Sequence, residues 1–324
     1  MKTTKIAKNT AAVVGASKKP KQRPGDATAL VAVYTAAAQS KATQRSYEAD
    51  MRHFTEYGGT IPATAEMVAE YLAHFAGFLA VATLQHRIVA IHRAHTDLGL
   101  ESPTATRTVS RCMQGIRRTY GVKQRRVKAL VRDDLLEMSV HLDKLPPLRR
   151  ARDTALILCG FAGALRRSEL VALNVDDITA HSNGLEVAIK VSKTDQEAAG
   201  RMVFLPHARG ARCPVKALRH WLELAGIVEG PLFRQISRHD KIVGTNALVP
   251  QSVALIVKAA VRAMSGDAAA EDVAGHSLRA GFCTEAANVG MANHLVRGQT
   301  GHRGDSSLLK YVRPASQRKI PTLL

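Results

Sequence analysis

The stretch GALRRSELVAL, residues 163–173, sets two adjacent arginines, Arg166 and Arg167, and an acid, Glu169, among apolar residues. It falls at a break between helical patterns. Before it, VRDDLLEMSVHLD (131–143) and LRRARDTALILCGFAGAL (148–165) repeat apolar residues at three- and four-residue steps. After it, LEVAIKV (185–191) and RMVFLP (201–206) are β-rich runs around SKTDQEAAG, which reads as a hairpin with a polar turn. Helical period then returns in CPVKALRHWLELAG (213–226), QSVALIVKAAVRAMSG (251–266), HSLRAGFCTEAANVG (276–290) and SSLLKYV (306–312), with Trp221 expected in the core among leucines. This half of the chain therefore reads as mainly α with a small β-sheet. Taken alone, the arginine pair is an ion-pair partner of Glu169 or a contact to a DNA backbone.

Two further stretches carry chemistry. In HSLRAG (276–281), His276 and Arg279 are three residues apart and share a helix face. In TGHRGDSSLLKYVR (300–313), two glycines flank His302 and Arg303, and Tyr311 follows His302 by nine residues. Each has a bland reading: a capped helix start with an exposed arginine, and a packing tyrosine near a chain end. Five of the six tyrosines lie in the first 120 residues, so Tyr311 stands by itself in the second half.

In order and spacing, GALRRSELVAL, SKTDQE, HSLRAG and GHRGDSSLLKYV resemble the signature of the tyrosine recombinase (phage integrase) family. That resemblance implies an N-terminal helical core-binding (SAM-like) domain followed by a mixed α/β tyrosine-recombinase catalytic domain. It implies Arg166 as the first arginine, Glu169 as its supporting acid and Lys193 as the hairpin lysine. It further implies His276 and Arg279 as the His/Arg pair, His302 as the second histidine and Tyr311 as the nucleophile. Arg167 takes a variable position of the box and receives no role; Lys190 lies in the strand and is set aside as general acid. Ala164 and the Arg303-Gly304 pair depart from the family's usual residues, Ala164 without consequence and the pair with an effect on local geometry.

The residue types suit attack on a phosphodiester. Negative charge grows on the non-bridging oxygens, and planar guanidiniums hold two oxygens each. Arg166 and Arg279 form the clamp and His302 donates a further hydrogen bond, each such donor being worth about 3–4 kcal/mol. A tyrosine ordinarily titrates near ~10, so Tyr311 needs a proton acceptor, here His276, and Lys193 protonates the departing 5′-oxygen. A 3′-phosphotyrosyl link conserves bond energy, so no cofactor, nucleotide or metal is expected. The sequence has neither a phosphate-binding Gly-rich lysine loop nor a two-metal carboxylate cluster. His92 and His95 form an HxxH without a third ligand and are not read as a metal site.

The first half reads as all-helical over 26–122, with Asp26, Thr43 and Thr64 as helix caps. Its seven aromatics from Tyr34 to Phe78 are expected to form its core. Residues 1–25, with seven Lys/Arg and no acid, read as a disordered basic arm. Nine Lys/Arg and no acid lie between Ser102 and Arg132, so the catalytic domain, 123–324, opens on a basic linker. Arg117, Arg118, Lys123, Arg125, Arg126 and Lys128 are the expected phosphate contacts.

Charge agrees with this partner: 46 Lys+Arg against 27 Asp+Glu give a net +19, while aromatics are only 4%. That balance favours duplex DNA over single strands read by stacking. Four scattered cysteines indicate neither a zinc ribbon nor a disulfide scaffold. No apolar run is long enough for a membrane span, so a cytoplasmic protein, nucleoid-associated if bacterial, is expected. The resemblance implies double-stranded DNA with a specific core site as substrate. It also implies a homotetramer in the active synaptic complex, with room for accessory DNA-bending proteins. Two other functions fit the same residues: cleavage and resealing without exchange, as in type IB topoisomerases, and DNA binding without catalysis.

Overall fold

Ser40 and Thr64 each turn a side-chain oxygen onto a backbone N–H three residues ahead, Thr43 and Met67 respectively, and so start helices α2 and α3. The computed structural model describes residues 27–37, 40–122, 127–190, 200–210, 212–306, 308 and 311. The chain divides into two compact units, Met1–Arg125 and Arg126–Leu324.

Among the described residues the first unit is helical: α1 (Ala27–Ala37), α2 (Lys41–Glu56), α3 (Ala65–Phe75), α4 (Val81–Thr96) and α5 (Arg107–Tyr120). Ser40, not Thr43, caps α2, because the Ser40 oxygen accepts the Thr43 N–H. Phe54, Tyr71, Leu72, Leu84 and Ile91 are fully buried at its centre, each contributing about 2 kcal/mol of apolar burial. Tyr57 and Phe75 pack against them, but Tyr34 and Phe78 do not join the core and are 64% and 86% exposed. The expected helix through Phe78 stops at Phe75, because Gly77 turns the chain at φ +85°. There a Cβ would meet the Tyr120 ring at 2.8 Å.

The second unit is mixed α/β. Helices α6 (Arg132–Leu142), α7 (Pro147–Ala162) and α8 (Arg167–Ala172) precede a three-stranded antiparallel sheet, β1 (Ile178–His181), β2 (Gly184–Ile189) and β3 (Arg201–Pro206), in order β1-β2-β3. Leu185 pairs with Leu205 and Ile189 with Arg201, so the expected hairpin forms over β2 and β3. Strand β1 and a second ribbon, β4 (Arg234–Ile236) with β5 (Val243–Ala247), are additions to the sequence reading. Helix α9 (Pro214–Ala225) packs on α7 and carries Trp221, fully buried, with its indole N–H donating to the Leu232 carbonyl at 2.7 Å. Helices α10 (Pro250–Glu271, broken at Gly266, φ +83°), α11 (Ser277–Asn288) and α12 (Asn293–Thr300) follow, and the described residues 305, 306, 308 and 311 beyond them are helical.

Gly281 sets the place of α11. A Cβ there would lie 1.7 Å from the Leu130 carbonyl oxygen, so only glycine lets the helix run on that backbone. Hydrogen bonds from Leu130 N–H to Ser277 and from Lys128 N–H to Asp272 hold the same strip of chain along the start of α11. No described helix is long and apolar enough to cross a membrane.

Candidate active site

Arg166 is the residue before α8, and its backbone N–H donates to Glu169 Oε2 at 2.9 Å, closing the first turn. Its Nη1 donates to Oε1 of the same carboxylate at 2.5 Å. Arg201, at the start of β3, completes the pair: Nη1 and Nη2 reach the two Glu169 oxygens at 3.1 and 2.8 Å. Burial of Glu169 opposes its ionisation, but the Arg201 and Arg166 hydrogen bonds outweigh it and hold the carboxyl at about 2. Glu169 is thus a buried anion that anchors two guanidiniums.

Helix α11 delivers the next two groups. Arg279 is 1% exposed. Its Nη1 donates to the Ala164 carbonyl at 2.8 Å and its Nη2 to His302 Nε2 at 3.1 Å. Burial, with Arg166 nearby, lowers this guanidinium to about 10, so it stays charged at neutral pH. Ala164 presents its carbonyl from a left-handed conformation, φ +48°, a strained backbone for a residue with a Cβ. That strain sits in the break between α7 and α8 where the sequence places the arginine pair.

His276 precedes α11, and its Nε2 lies 2.7 Å from Tyr311 Oη in the same chain. His276 is exposed to solvent. Even so, the protein around it and the charges of Arg279, Arg166 and Arg167 lower its pKa, so it is neutral and able to accept a proton at pH 7. His302 follows α12 and the left-handed Gly301; its ring centroid is 6.3 Å from that of Tyr311. Tyr311 packs with Phe282 against Cys283, Ala286, Val296 and Leu308. Burial pushes the Cys283 thiol up to about 11 and Cys159 up to about 12, which makes neither a nucleophile at neutral pH.

The structure thus brings Arg166, Glu169, His276, Arg279, His302 and Tyr311 together. Lys193 lies outside the described residues, as do Lys123, Arg125 and Arg126. Lys190 is paired with Asp177 at 2.5 Å. Arg117 and Arg118 are exposed on α5, Arg117 hydrogen-bonded to Gln85, and Lys128 is exposed with Asp134 at 3.4 Å. His95 is a core residue: its Nε2 accepts the Ala63 N–H and its Nδ1 donates to the Ile91 carbonyl. Both ring nitrogens are therefore engaged. No group of three or more metal-ligating side chains exists among the described residues.

Three contributors escape the sequence reading. Arg201 opens a strand and has no local partner in sequence. Thr300 is fully buried behind His302. Arg167, left without a role, lies against Gly275, where a Cβ would come within 2.0 Å of its Cδ, and so lines the backbone just before His276.

A tyrosine hydroxyl against a neutral imidazole, in one site with Arg279 and with an Arg166 fixed by the buried Glu169, is an arrangement able to attack a phosphodiester. Comparison with known proteins agrees. Residues 125–318 match the phage integrase family. An integrase/recombinase xerD homolog from Selenomonas ruminantium is 35% identical over 281 residues, covering 83% of this chain and 81% of that protein. Solved structures share the fold. The Tn1549 transposon integrase in complex with transposon right-end DNA superposes with a TM-score of 0.61 at 14% identity, over 87% of this chain and 93% of that one. The XerH site-specific recombinase bound to palindromic difH substrate does so with 0.58 at 22% identity, over 79% and 70%. The chain belongs to the phage integrase family of tyrosine recombinases.

Proposed function

We propose that this recombinase cleaves and rejoins duplex DNA at a specific core site with Tyr311 of the same chain as nucleophile. The 2.7 Å contact between His276 Nε2 and Tyr311 Oη carries the reading. His276 takes the phenolic proton, Oη bonds to phosphorus, and the bond from phosphorus to the 5′-oxygen breaks. Lys193, which lies between β2 and β3 in the sequence, supplies the proton to the departing 5′-oxygen. Arg166 and Arg279 bind the non-bridging oxygens, and Glu169 fixes Arg166. A 5′-hydroxyl of a second strand then reverses the attack, so no water is consumed and no net hydrolysis occurs.

The first unit serves as the core-binding domain, of the SAM-like kind, and the second as the catalytic domain. Arg117, Arg118, Lys123, Arg125, Arg126 and Lys128 contact phosphates, with the basic arm adding to them. Four copies act together on two duplexes, with accessory DNA-bending proteins where the site requires them. The related structures are described as bound to difH substrate and to transposon-end DNA, which supports a DNA substrate here.

A nicked suicide duplex tests this. Cleavage releases a short fragment, so a covalent protein–DNA adduct accumulates, and Tyr311→Phe abolishes it. An adduct that survives Tyr311→Phe refutes the assignment. Strand exchange between two duplexes, rather than relaxation of a supercoiled plasmid by a lone monomer, is the expected overall reaction.

A further inference from the structure

His302 is held from both sides, and the two contacts fix its proton. Thr300 is fully buried, and its hydroxyl donates to the Val296 carbonyl at 2.7 Å. A hydroxyl has one proton, and a carbonyl can only accept. Toward His302 Nδ1, 2.8 Å away, the Thr300 oxygen can therefore only accept, so Nδ1 carries a hydrogen. On the other edge, Arg279 Nη2, a donor without acceptor capacity, lies 3.1 Å from Nε2. A lone pair on Nε2 suits that donor, over a contact longer than the 2.8 Å one between Nδ1 and Thr300. Val296, Thr300, His302 and Arg279 form one directed chain, with the carbonyl of Ala164 accepting from the far side of the guanidinium.

We propose that Thr300 is a positioning residue that locks His302 in its Nδ1–H tautomer, so that His302 orients Arg279 by accepting from it. This differs from the expected role of His302 as a ready donor to the phosphate. In this tautomer Nε2 can donate only after the ring takes up a proton. The cations facing the ring oppose that uptake: Arg279 from α11, Arg166 just before α8 and Arg201 from β3, with His276 before α11 adding to them only when it is protonated. Burial and these cations hold His302 at about 4. The negative charge of a bound phosphate is the change that would admit the proton. The purpose of orienting Arg279 rests on the recombinase reading; the tautomer does not.

The test is long-range proton–nitrogen NMR of the imidazoles in the full-length protein, with the His302 signals assigned by their loss in His302→Gln. Wild type should show Nδ1 protonated and Nε2 bare. Thr300→Val, close in shape but without an acceptor, should shift His302 toward the Nε2–H form, and Thr300→Ser should restore the wild-type pattern. Single-turnover adduct formation on the nicked duplex should fall roughly tenfold in Thr300→Val, the size of one lost hydrogen bond, and recover in Thr300→Ser. A protonated Nε2 in the wild type overturns the proposal, as does a Thr300→Val spectrum identical to wild type. Should Thr300→Val not fold, the wild-type and Thr300→Ser spectra decide by the same criteria. Absence of any adduct in wild type, with the tautomer as stated, would refute the recombinase reading and leave the tautomer assignment standing.

Discussion

Glu169→Gln removes the charge on which Arg166 and Arg201 converge and should cost folding stability in a pH-dependent way. In the folded protein the carboxyl titrates at about 2 instead of 4.5, although burial pulls the other way. A depression of that size corresponds to about 3 kcal/mol of stability. Because the folded-state pKa is the lower one, this stability is fully present above about pH 4.5 and is lost as pH falls toward about 2. Glutamine cannot lose a proton and turns an N–H toward two guanidiniums, so at pH 7 the variant should be less stable by about 3 kcal/mol, in the range for breaking a buried ion pair. Trp221, the single tryptophan and fully buried in the catalytic unit, reports its unfolding in urea by fluorescence. The gap between wild type and variant should be full at neutral pH, narrow below about pH 4.5 and close near pH 2. Asp177, whose folded pKa is also lowered, and Asp153, whose pKa burial raises, titrate alike in both proteins and cancel in the difference. A variant as stable as wild type at pH 7 would refute the reasoning, as would a gap unchanged from pH 7 to 3.

Gly281→Ala should force α11 off the Leu130 backbone and destabilise the catalytic unit by about 3 kcal/mol, the upper end of ordinary overpacking, with adduct formation lost; an unchanged urea midpoint would contradict the packing account. Arg201→Lys keeps a charge but cannot bridge both Glu169 oxygens. It should cost about 1.5–3 kcal/mol at pH 7 and slow cleavage, read by urea unfolding and by adduct rate, and wild-type values for both would remove Arg201 from the site.

The parts of the site legible in sequence are those whose chemistry demands one residue type at a fixed local step. His276 and Arg279 sit within one helical turn, and Arg166 and Glu169 within another. Arg201 was hidden because its partner, Glu169, is 32 residues away and the two meet only when β3 lies beside α8. Thr300 was hidden because its effect depends on the spent proton of a hydroxyl, which no spacing encodes. In the first unit, helical period correctly gathered Phe54, Tyr71 and Phe75 but carried α3 too far, since period alone does not register the turn at Gly77. Strand β1 is short and its residues are largely exposed, so ITAH gives no alternation to read.

The central claim is that Tyr311 becomes covalently bonded to a 3′-phosphate. Protease digestion of the wild-type adduct and mass spectrometry of the nucleotide-bearing peptide test it most directly. The account predicts a single modified residue, Tyr311, joined to a 3′-phosphate with a free 5′-hydroxyl on the other strand end. A nucleotide on any other residue, or a 5′-phosphate link, would contradict it.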